Sequence, residues 1–142
     1  MARVKIIIPG QTITTISIRV RIGDINYGNH VGNDAFVAII HEARIQWLAQ
    51  NNFTELDIGG AGLIMSDLEV EFKKEGLYGD IIEVEVSLGE LSKVGFDIYY
   101  QLATYRMNEK IILVKAKTGM VCYDYANKKV AAVPELFKKI FA

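Results

Sequence analysis

The stretch Gly23-Asp24-Ile25-Asn26-Tyr27-Gly28-Asn29-His30-Val31-Gly32-Asn33 runs directly into Asp34-Ala35-Phe36-Val37-Ala38-Ile39-Ile40-His41-Glu42-Ala43-Arg44-Ile45-Gln46-Trp47-Leu48, and this junction decides the fold. The first part is polar and glycine-rich, as a loop must be. The second contains no proline or glycine. Within it Phe36, Ile40, Ala43 and Trp47 recur at the spacing of one helical face, with Ile39 alongside. Val37, Ala38, Ile45 and Leu48 occupy other faces, so the helix is expected to be buried on more than one side. Asn33 and Asp34 are residue types that favour helix N-caps, and Asn51-Asn52 supplies a stop.

On the upstream side, Ile16, Ile18, Val20 and Ile22 alternate with Ser17, Arg19 and Arg21. Period two with branched side chains predicts a half-buried strand over residues 12–22. Downstream, the same signal predicts strands over 63–74, 80–91, 95–106 and 110–125, the last two separated by the turn Met107-Asn108-Glu109. Pro134 suits the first turn of a short terminal helix over 135–141. Short turns between consecutive strands imply antiparallel pairing. A single apolar helix inserted after the first strand has to be covered by the sheet. The expectation is therefore an α+β fold, a curved antiparallel sheet of about five strands wrapped around one long central helix. Its open edge strands favour pairing between subunits, as a homodimer or homotetramer.

With 142 residues and no Pro/Gly/Ser-rich linker or internal repeat, the chain reads as one domain, 1–142. Hydrophobic residues at 51% and charged residues at 23% describe a globular chain rather than a disordered one. A formal net charge of -1 gives no general attraction to nucleic acid or to an anionic membrane. The apolar run Ile6-Ile7-Ile8 is too short for a signal-peptide core, and no uncharged stretch is long enough to span a bilayer. The single cysteine, Cys122, lies in an apolar strand pattern and reads as a small buried hydrophobe. Together these features predict a soluble cytoplasmic protein.

Chemistry concentrates in the loop. Asp24, Asn26, Asn29, His30 and Asn33 lie between a strand end and a helix N-terminus. Such a terminus presents unpaired backbone N–H groups and partial positive charge, which suits a carbonyl oxygen gaining negative charge. A nearby His, Asp or Glu could activate water. The plainer alternatives are that His30 braces the loop, Asp24 caps the turn, and Asn33 or Asp34 caps the helix. Two histidines on different elements, with no cysteine pair, do not make a zinc site. Ser66 and Ser92 lack a nucleophile-elbow context. Gly59-Gly60-Ala61-Gly62 lacks the lysine of a phosphate loop and reads as a turn. Lys73-Lys74 and Lys128-Lys129 read as solvated surface.

Asp24, His30, Val31, Asn33, the aromatic Phe36 and Glu42-Ala43-Arg44 resemble the motif of the hotdog thioesterase superfamily, in its 4-hydroxybenzoyl-CoA thioesterase-like and acyl-carrier-protein thioesterase branches. The resemblance implies hydrolysis of an acyl-CoA or acyl-ACP thioester with no cofactor, coenzyme A being part of the substrate. It further implies that the backbone N–H near Asn33 polarises the thioester carbonyl. Two positions depart from the pattern. Asn26 stands where the 4-hydroxybenzoyl-CoA branch carries a catalytic aspartate, and an amide cannot take a proton at neutral pH. Gly28 stands where the plant-type branch carries an asparagine. The expected catalytic set is thus Asn26, His30, Asn33 and Glu42: His30 or Glu42 activates water, Asn26 positions it, and Asn33 forms the oxyanion hole. The resemblance also points to Lys93 as a weak candidate for carrier phosphates. The competing functions are a hotdog dehydratase or hydratase and a non-catalytic acyl-CoA-binding protein.

Overall fold

The structure is a computed structural model and describes residues 2–142. The first strand, β1 (Thr14–Arg19), ends in a 3-10 turn over Ile22–Asp24, after which the polar loop leads to helix α1 (Asn33–Gln50). Strands β2 (Gly62–Phe72), β3 (Ile81–Leu88), β4 (Gly95–Arg106) and β5 (Glu109–Asp124) follow, then a two-residue strand β6 (Lys129–Val130) and helix α2 (Glu135–Phe141). Alternation drives the strand formation: Ile82, Val84 and Val86 are fully buried while Ile81, Glu83 and Glu85 face outward. The terminal helix spans the expected residues.

The long strands form one antiparallel sheet in the order β1-β3-β4-β5-β2, with β6 added to β5. One face of the sheet packs on α1, which buries Phe36, Ile39, Ile40, Ala43, Arg44, Trp47 and Leu48. This is the hotdog arrangement that the resemblance implies. The buried apolar side chains form a continuous cluster that also takes in Phe137 of α2, whose ring stacks on Phe96 at 4.7 Å. A register shift between Met65 and Asp67 and another between Leu102 and Ala103 mark irregularities of the kind that bend a sheet.

Three expectations change. Helix α1 is buried along one broad face and not on more than one side, since Ala38 and Ile45 are exposed. Pairing follows chain order for β3, β4 and β5, but β2 pairs with β5 and not with β3. The 73–80 segment is therefore a crossover and not a hairpin turn. Its middle is tied to the polar loop, where the Val31 N–H donates to the Gly76 carbonyl at 2.8 Å. The helix N-cap is Gly32, with no side-chain cap. Asn33 is the first helical residue, and its Oδ1 accepts the Asp34 N–H at 2.8 Å.

Candidate active site

The polar loop folds upon itself through its own amides. Asn26 N–H donates to the His30 carbonyl and Asn29 N–H to the Asn26 carbonyl, with Asn29 in the left-handed region at φ 68. Asn26 Oδ1 accepts the Gly28 N–H at 2.9 Å, an Asx turn. A β-carbon built on Gly28 would stand 3.1 Å from His30 Nε2 and 3.2 Å from Asn26 Oδ1. The imidazole and the amide thus converge over the one residue that leaves them room.

His30 Nδ1 lies 3.3 Å from the Val31 carbonyl oxygen. A carbonyl only accepts, so in the neutral tautomer whose Nδ1 donates to it, Nε2 keeps its lone pair. Nε2 lies 3.7 Å from a carboxylate oxygen of Glu75. At the start of α1, Phe36 N–H is taken by the Gly32 carbonyl and Asp34 N–H by Asn33 Oδ1, while the Asn33 N–H finds no acceptor among the described residues.

Asn26, His30 and Asn33 line one cavity of about 870 Å³. Phe36 and Phe72, with ring centroids 6.0 Å apart, give it an apolar wall. Lys73, Lys74 and Glu75 complete its border, so the lysines expected to be plain surface flank the site. A second cavity, about 440 Å³, shares Phe72, Lys73 and Lys74 and extends to Arg3 and Lys110.

Glu42 is not brought to this group. It accepts a hydrogen bond from Gln46 Nε2 at 2.7 Å and borders a separate cavity with Arg19 and Arg21. The reason is helical geometry: nine residues beyond Asn33, a side chain lies about half a turn around the axis. Nor does Glu42 pair with Arg44, whose partners are Glu55 and Tyr100. Asp24 braces the turn, accepting the Arg21 N–H at 2.9 Å. Gly59 and Gly60 donate to Asp57 Oδ1 in a turn that does not border the cavity. Glu75 went unrecognised in the sequence, because its placement depends on the crossover that ends β2.

No group of three or more His, Cys, Asp or Glu side chains among the described residues is arranged to hold a metal ion. No helix among them is long and apolar enough to cross a membrane. Cys122 is buried, and burial pushes its thiol up to about 11, so it is not an activated nucleophile.

An antiparallel sheet wrapped around one long helix is the hotdog arrangement. Residues 20–141 match the model of the thioesterase-like superfamily, and the chain belongs to that family. Among solved structures it is similar to a 1,4-dihydroxy-2-naphthoyl-CoA thioesterase from Synechocystis (21% identity, TM-score 0.77, covering 88% of this chain and 92% of that one). It is also similar to a gentisyl-coenzyme A thioesterase (19%, TM-score 0.77, 91% and 100%). A third is an Asp-to-Asn mutant of 4-hydroxybenzoyl CoA thioesterase complexed with 4-hydroxybenzoyl CoA (14%, TM-score 0.80, 91% and 98%). At these identities the likeness establishes the fold. No curated protein sequence matches the chain significantly.

Proposed function

We propose that the chain hydrolyses an acyl thioester, releasing a free acid and a thiol from acyl-CoA or an acyl carrier protein. One observation carries this reading: His30, Asn26 and Asn33, at the start of α1, line one cavity with an apolar wall and lysines at its edge. His30 Nε2 takes a proton from water as the water oxygen attacks the thioester carbon. The carbonyl oxygen becomes an oxyanion at the Asn33 N–H, where the helix N-terminus stabilises it. Collapse breaks the C–S bond, and the leaving sulfur takes the proton back from the imidazolium. Asn26 positions the water or the thioester. No cofactor takes part, and coenzyme A enters only as part of the substrate. Arg3 and Lys74 beside the shared wall suit a phosphorylated carrier, while Lys73 and Lys110 there are paired with Glu71 and Glu85.

The assembly belongs to the same proposal. β2 is an edge strand with Ile64, Met65 and Leu68 exposed, and it borders a cavity of about 530 Å³ against α1. Such an edge invites a second copy, giving a homodimer or homotetramer. A buried unpaired thiol suits the reducing cytoplasm.

A second reading, acyl-CoA binding without hydrolysis, draws on the missing carboxylate at Asn26. Thiol release from a panel of acyl-CoA substrates separates the two. His30→Gln should lower kcat by about a hundredfold or more. Full activity in His30→Gln would remove the proposed water-activating role, and Glu42→Gln should leave turnover near wild type.

A further inference from the structure

Resting on the hydrolase reading, we propose that Glu75 supplies the carboxylate that position 26 lacks. It faces His30 Nε2 across 3.7 Å and stabilises the imidazolium formed when that nitrogen takes the proton from the attacking water.

With Nδ1–H directed at the Val31 carbonyl, Nε2 is the nitrogen that gains a proton, and Glu75 lies on that side of the ring. A carboxylate there acts on the charged ring far more than on the neutral one, so its effect appears as charge develops. The backbone at Glu75 is held from two sides. Arg106 Nη2 donates to the Glu75 carbonyl at 2.9 Å, and Arg106 is itself held by Asp80. On the other side, the Gly76 carbonyl receives the Val31 N–H. Gly76 sits so close that a β-carbon there would lie 2.8 Å from Val31 and 3.1 Å from Phe36. The loop carrying Glu75 is thereby fixed against the residue that follows His30.

The other carboxylate at the cavity, Asp34, is placed differently. Its Oδ1 folds back over Gly32, 2.5 Å from where a β-carbon would be, and no contact links it to His30. Lys73 does not neutralise Glu75, because it pairs with Glu71 at 3.4 Å. The Glu75 side chain is 69% exposed in the free protein, so water screens the pair. A thioester and its carrier lying over the cavity would displace that water and strengthen it. Glu75 is thus a positioning and charge-stabilising residue acting through His30, and its loss should fall on kcat rather than KM.

The test compares the wild-type protein with Glu75→Gln, Glu75→Asp, Asp34→Asn and His30→Gln, assayed by thiol release from acyl-CoA substrates. The proposal expects Glu75→Gln to lose on the order of tenfold in kcat with little change in KM. Glu75→Asp should recover part of the loss, and the melting temperature should not move. 15N spectra should show His30 Nε2 as the unprotonated nitrogen, with its resonance shifted in Glu75→Gln. If His30→Gln is inactive while Glu75→Gln turns over normally, the hydrolase reading stands and the role of Glu75 is overturned. Loss in Asp34→Asn alone, or a proton resident on Nε2 of the neutral ring, overturns it as well. No thiol release by the wild-type protein from any carrier ends the hydrolase reading and this inference together.

Discussion

Arg44 Nε donates to a Glu55 carboxylate oxygen at 2.8 Å from within the core, with only 5% of the Arg44 surface reaching solvent. His41 Nε2 stands 3.0 Å from the other Glu55 oxygen. A guanidinium so enclosed is tolerable only because its donors are engaged. Partial burial pushes the Glu55 carboxyl up, but hydrogen bonds from Arg44 and His41, with their charge, outweigh it and hold the group below its ordinary 4.5. A carboxyl depressed on folding adds stability above its unfolded pKa, and that contribution is lost as pH falls through the folded value. Glu55→Gln should therefore be less stable than wild type near neutral pH. The gap should close as the medium is acidified below about 4. Urea unfolding across this range measures it, and a gap unchanged at low pH would refute the linkage.

The same guanidinium donates from Nη1 to the Tyr100 hydroxyl at 3.2 Å, and that hydroxyl is 2.7 Å from Thr118 Oγ1. Tyr100 and Thr118 are both fully buried. Tyr100→Phe keeps the ring and removes the acceptor, leaving an Arg44 donor and the Thr118 hydroxyl without their partner. The expected cost is about 1–3 kcal/mol, read as a lower denaturant midpoint at unchanged slope. A midpoint equal to wild type would show that water or a rotamer change replaces the bond.

Gly28 separates the two side chains proposed to handle the water. A methyl group there would lie within 3.2 Å of both His30 Nε2 and Asn26 Oδ1, so at least one has to give way. Because the loop's other hydrogen bonds run through Asn26, Asn29 and His30 backbone atoms, the fold should survive. Gly28→Ala should lower kcat by about tenfold or more while melting near the wild-type temperature. Wild-type kcat would mean that the convergence over Gly28 is not part of the reacting geometry.

What was readable in the chain follows from what is local. The Phe36, Ile40, Ala43 and Trp47 stripe fixed α1, because one periodicity and one buried face determine each other. The alternation at Ile82, Val84 and Val86 fixed β3 in the same way. Alternation does not say which strand lies alongside, and β2 accordingly pairs with β5, far along the chain. That pairing carries Lys73, Lys74 and Glu75 to the mouth of the site, where local pattern suggested only solvated charge. That Asn26, His30 and Asn33 share one cavity was legible, since all lie in one short segment. Glu42 was placed by a motif position, and only the helix phase reveals that it faces elsewhere.

Asn26 offers the sharpest test between turnover and mere binding. Its Oδ1 accepts the Gly28 N–H, and an aspartate oxygen would accept the same bond, so Asn26→Asp should leave the loop folded. The substitution adds a second carboxylate beside His30, within a cavity that already contains Glu75. If His30 is the base and Glu75 its counter-charge, the site lacks nothing, and the extra carboxylate should alter kcat by no more than about tenfold. If the natural chain only binds acyl-CoA, wild type should release no thiol, and Asn26→Asp would bring activity into being. The same thiol assay on both proteins distinguishes these outcomes. Activity confined to the Asn26→Asp variant would replace the hydrolase reading with the binding one.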